Sequence, residues 1–124
     1  MIQAPISLGE LIDKITILQI KRRHVAGSAL ENVTQELHAL ETVLHNLGVA
    51  VDAVLVRRLE QVNAELWAIE DAIRHHEQRQ CFDDAFVQLA RSVYKTNDAR
   101  AALKRQINTS YGSPLVEEKT YTPY

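Results

Sequence analysis

Residues 52–79 read DAVLVRRLEQVNAELWAIEDAIRHHEQR. Leu55, Leu59, Val62, Leu66, Ile69 and Ile73 recur at alternating gaps of four and three. That is the period of a helix with one apolar seam. A helix of this span is roughly 42 Å long, and Asp52 can cap its start by accepting an orphan backbone N–H. A second stripe of the same helix is mostly polar: Val56, Glu60, Asn63, Trp67, Glu70, Arg74 and Glu77.

Upstream, Leu30, Val33, Leu37, Leu40, Leu44 and Leu47 repeat the alternation and stop at Gly48. Ser28 and Glu31 have the spacing of a capping box there, and Ser7 and Glu10 have it at the first helix. In that first helix Leu8, Leu11, Ile12, Ile15 and Leu18 form one apolar face, with Ile17 and Ile20 off it. A helix apolar on more than one side packs on more than one side. Gly27 suits the left-handed residue after its end. Downstream, Asp83 or Asp84 can cap a fourth helix, and Phe82, Phe86, Leu89, Val93, Ala101 and Ile107 are expected to point inward.

The expected fold is all-α: a single domain, 1–124, forming a compact antiparallel bundle of about four helices. The helices are expected at 7–26, 28–47, 52–79 and 83–109, with an extended C-terminal tail over 111–124. Short connections make neighbours antiparallel. Leu115, Val116 and Tyr121 give the tail reason to lie along the bundle, whereas its last three residues look dispensable. The long seams favour self-association, with a dimer first.

Fourteen Lys and Arg against sixteen Asp and Glu leave a net charge of −2. Bulk attraction for nucleic acid or anionic lipid is therefore absent. The lone cysteine, Cys81, forms no internal disulfide, and the first ten residues lack the pattern of a signal peptide. A cytoplasmic protein that does not span a membrane is expected. No Walker loop, Rossmann glycine motif or paired-cysteine motif occurs.

Polar residues beside the seams form three strips. Glu10, Asp13, Lys14 and Lys21 lie on the first helix; Asn63, Trp67, Glu70 and Arg74 on the third; Tyr94, Asn97, Asp98, Arg100 and Lys104 on the fourth. Glu117 and Glu118 in the tail can meet a basic residue. The plain reading is a buried ion-pair layer that sets register. The sharper one is an anion pocket in which Lys14, Lys21, Arg74, Arg100 and Lys104 grip a carboxylate or phosphate. Asp71 and His75, four apart, suit two metal ligands, but no third or fourth follows, so no metal and no cofactor are expected.

The stretches PISLGELIDKITILQIK, NVTQEL, LWAIEDAIR, FVQLARSVYKTNDARAALKRQIN and GSPLVEEKTY together resemble a family of small bacterial and phage-encoded proteins catalogued as a domain of unknown function. The resemblance runs from Pro5 to Tyr121 and takes in the polar strips and Glu117–Glu118. His38, His45, His76 and Cys81 fall outside its motifs. It implies no established activity. The association of such proteins with surface-glycan genes suggests a non-enzymatic binding or adaptor module with a protein partner. The alternatives are a small anion-binding protein or enzyme, or a phage or nucleic-acid accessory protein. Ile12, Asp13, Ile15 and Arg23 also resemble the first helix of all-helical chorismate mutases, a likeness confined to one helix and read as convergence.

Overall fold

The computed structural model describes residues 1–112, 118 and 122–124. Four helices account for them: α1 (Leu8–Arg22), α2 (Gly27–Leu47), α3 (Ala53–Gln78) and α4 (Asp84–Ser110). No strand occurs among the described residues. The expected burial of Leu115, Val116 and Tyr121, and the role of Glu117, lie outside them.

Local chemistry sets most of the boundaries. Ser7 Oγ accepts from the Glu10 N–H, Asp52 from the Val54 N–H and Asp83 from the Phe86 N–H. Gly48, at φ 65°, closes α2 in the left-handed conformation that costs glycine nothing. One cap differs from expectation. Ser28 lies inside α2, whose N-cap is Ala26 and makes no side-chain bond. Gly27, at φ 61°, turns the chain into α2 one residue before Ser28, four residues past the C-cap of α1 at Arg23.

The helices run alternately up and down, and α1 is the hub. It packs against α2, α3 and α4, and α3 packs along α4, while α2 approaches neither α3 nor α4 closely. Accordingly α1 is apolar on two sides. Leu11, Ile15 and Leu18 meet Val33 and Leu37 of α2. On its other side Ile12 meets Leu55, Leu59 and Ile107, joining α3 to α4. Each fully buried residue among these, such as Leu37 or Leu59, contributes about 1.5–3 kcal/mol.

Length then creates an asymmetry. The 15 residues of α1 span about 22 Å, and the 26 and 27 residues of α3 and α4 about 40 Å. Because α1 ends level with Trp67, the α3–α4 hairpin continues past it with no third helix. From Trp67 to Leu103 no residue is buried, although the seam residues Ile69, Ile73, Phe86, Leu89 and Val93 are all apolar. Phe82, expected to point inward, is 51% exposed, because it lies in the α3–α4 turn, beyond the end of α1.

Candidate functional site

Where α1, α3 and α4 meet, the core is polar. Asp13, Thr16, Asn63, Lys104 and Asn108 are each at most 4% exposed. Asn63 Nδ2 donates to Asp13 Oδ1 at 2.9 Å and to Thr16 Oγ1 at 2.8 Å. The Thr16 hydroxyl spends its own proton on the Asp13 carbonyl at 2.8 Å. The side of α4 that faces α1 carries Arg100, Lys104 and Asn108, spaced by one helical turn. Arg100 Nε lies 3.8 Å from Asp13 Oδ1, and Lys104 Nζ lies 3.9 Å from Asp13 Oδ2 and 2.6 Å from Glu10 Oε2. Lys14 Nζ adds a contact to Glu10 Oε1 at 3.6 Å.

Burial pushes the Glu10 carboxyl up. The hydrogen bond and charge of Lys104, with the charges of Lys14 and Arg100, more than offset this and hold it below the ordinary value. Among the described residues no buried side-chain nitrogen or oxygen lacks a hydrogen-bond partner. A satisfied layer of this kind joins three helices in one register.

This layer gathers Glu10, Asp13, Lys14, Asn63, Arg100 and Lys104 from the sequence-derived strips. It does not gather the others. Arg74 is eleven residues beyond Asn63, about 16 Å along α3, and the anion pocket expected to unite it with Lys14 and Arg100 does not form. Glu70 and Arg74 are both exposed, as is Lys21 at the far end of α1. Trp67 is half-buried and stacks on His24, with ring centroids 4.6 Å apart. Asn97 and Asp98 are half-buried. Tyr94 is exposed and packs edge-on against Tyr124 at 5.1 Å. Tyr124, expected to be dispensable, also hydrogen-bonds Asp98, and that bond with the carboxylate's charge raises its hydroxyl above the usual range. Glu118 pairs with Arg105 at 3.2 Å on the open surface. The Asp71–His75 pair, at 3.5 Å, is equally exposed.

Sequence reasoning missed Gly9, Thr16 and Asn108. Their signal was position alone: Thr16 follows Asp13 by three, and Asn108 follows Lys104 by four. Beside the polar layer, Thr16 also lines a cleft of about 230 Å³ between α1 and α3, with Gln19, Ile20, Arg23, Glu60, Gln61 and Ala64.

A family model matches the chain over residues 2–124. The chain belongs to the family of unknown function DUF6165. No curated protein and no solved structure matches it. Membership in the family assigns no activity, so function has to be argued from the side chains. No helix among the described residues is long and apolar enough to cross a membrane.

Proposed function

We propose that this protein is a non-enzymatic binding module that acts as a homodimer, joined through the distal half of the α3–α4 hairpin. The absence of any buried residue between Trp67 and Leu103 carries this reading. Phe82, Val87 and Tyr94 are 51%, 46% and 43% exposed there, beside a seam that two helices alone leave half open. Two-stranded packing of this kind gains by adding a second pair.

A second copy is the occupant that the charges favour. Distal α3 exposes Glu70, Asp71 and Glu77 with Arg74 alone among them basic, and α4 beyond its acidic cap exposes Arg91 and Lys95. A two-fold axis sets α3 of one copy against α4 of the other, so acidic and basic strips meet twice. The polar layer supports the non-enzymatic reading, because Lys14, Arg100 and Lys104 are engaged by carboxylates of their own chain.

Analytical ultracentrifugation tests the dimer. The wild type is expected at twice the chain mass of 14.0 kDa. Val87→Glu is expected near one chain mass with unchanged helicity. A wild type that stays at one chain mass across the concentration range refutes the reading. We place the dimer in the cytoplasm, as the single cysteine favours. A role in surface-glycan assembly rests on the resemblance alone, and unchanged surface polysaccharide after gene deletion would remove it.

A further inference from the structure

The turn between α3 and α4 brings together three side chains that neither the polar layer nor the proposed dimer uses. The Cys81 N–H donates to the His76 carbonyl and the Gln80 N–H to the Glu77 carbonyl, both at 3.0 Å. Gln80 stands between them at φ 53°, a left-handed residue that is not glycine. These are the two bonds of a Schellman motif, which presses together the side chains three residues before the cap and two after it. An apolar pair usually occupies those positions. Here they are His76 and Cys81. Two residues on, Asp83 caps α4 with its carboxylate 3.7 Å from His76 Nδ1.

His76, Cys81 and Asp83 each offer a ligand atom within 4.8 Å of the other two. We propose that they form a binding site for a divalent transition-metal ion, with Zn²⁺ the best fit. The donor set is one imidazole nitrogen, one thiolate and one carboxylate oxygen. Imidazole suits zinc and its neighbours, and thiolate disfavours magnesium and calcium. Two negative ligands neutralise a dication, and three protein ligands leave a fourth tetrahedral position for water or a partner's side chain. Bond lengths of about 2.0–2.3 Å set tetrahedral donors roughly 3.3–3.6 Å apart, so the cluster contracts by about an ångström on binding.

The surroundings hold the donors ready. The His76 side chain is only 13% exposed and packs against the Phe86 ring, with centroids 6.0 Å apart. Its Nδ1 lies 2.9 Å from the Cys81 carbonyl. A carbonyl only accepts, so Nδ1 carries the proton in the metal-free chain, and coordination through Nδ1, the ring nitrogen that lies nearest Asp83, moves that proton to Nε2. The Cys81 thiol lies within 4.8 Å of the Asp83 carboxylate. Binding then releases the thiol proton and leaves a thiolate on the metal.

Cobalt titration of the reduced, metal-stripped full chain tests the site. The expected result is one Co²⁺ per chain, with a near-ultraviolet thiolate-to-metal band that added Zn²⁺ abolishes. Cys81→Ser is expected to lose the band and His76→Ala to weaken binding. Asp83→Asn keeps the helix cap while removing the charge, and is expected to weaken binding by at least the roughly tenfold that even an outer-shell partner carries. Circular dichroism of each variant controls for folding. No thiolate band in the folded wild type, half an ion per chain, or affinity unchanged in Asp83→Asn would each overturn the three-donor site.

Discussion

The Gly9 N–H donates to Asn108 Oδ1 at 2.7 Å, across 99 positions of sequence and within the buried contact of α1 with α4. This bond satisfies one of the orphan donors in the first turn of α1. It also draws the helices so close that a Cβ on Gly9 would lie 2.5 Å from the Lys104 carbonyl oxygen and 2.9 Å from Asn108 Oδ1. The nearest of these atoms is backbone, so α4 itself must retreat. Gly9→Ala is therefore expected to cost about 1–3 kcal/mol, near the upper end, read as a lower urea midpoint.

Lys104 is the cation that both α1 carboxylates approach. Lys104→Met keeps most of the volume and leaves Glu10 and Asp13 with a buried cation removed. A loss of about 3 kcal/mol is expected, the low end for breaking a buried pair because Arg100 and Lys14 remain. Thermal denaturation measures it, and a variant as stable as the wild type would show that the layer contributes no net ionic stabilisation.

The depressed Glu10 pKa gives stability a direction in pH. The folded state binds this proton less readily than the unfolded state does. The contribution is complete above the ordinary carboxyl value of 4.5 and is lost as pH falls through the lower folded value. Glu10→Gln should flatten the stability profile in that acid window and leave its slope near neutrality unchanged. Urea titrations at a series of pH values would show this.

Exposure along the hairpin predicts a gradient of local opening. Amides of residues 68–95 should exchange with deuterium faster than those of residues 55–66 in dilute protein. The gap should narrow as concentration rises and the dimer fills. Protection independent of concentration would separate the hairpin from self-association.

Helices were legible because a seam such as Leu55–Leu59–Val62–Leu66 records burial directly in its spacing. Ser7, Asp52 and Asp83 were legible as caps because a short oxygen before an apolar run has one obvious use. The polar layer was half legible. Glu10, Asp13 and Lys104 are charged beside apolar faces, whereas Thr16 and Asn108 are unremarkable until a partner helix covers them. Periodicity shows which face a residue shares and not where the neighbouring helix stops. Arg74 follows Asn63 on one stripe, yet α1 ends before reaching it. His76, Cys81 and Asp83 were invisible as a set because their meeting depends on the left-handed turn at Gln80, which carries no glycine to announce it.

The hub position of α1 also orders events during synthesis. Of the four helices this one leaves the ribosome before the others, and its pairing with α2 through Leu11, Ile15, Val33 and Leu37 can follow within a few seconds. Its carboxylates must wait. Asp13 and Glu10 meet Arg100 and Lys104 only after some ninety further residues have been made. An α1–α2 hairpin formed at that stage would have an open, charged flank until α4 arrives to close it.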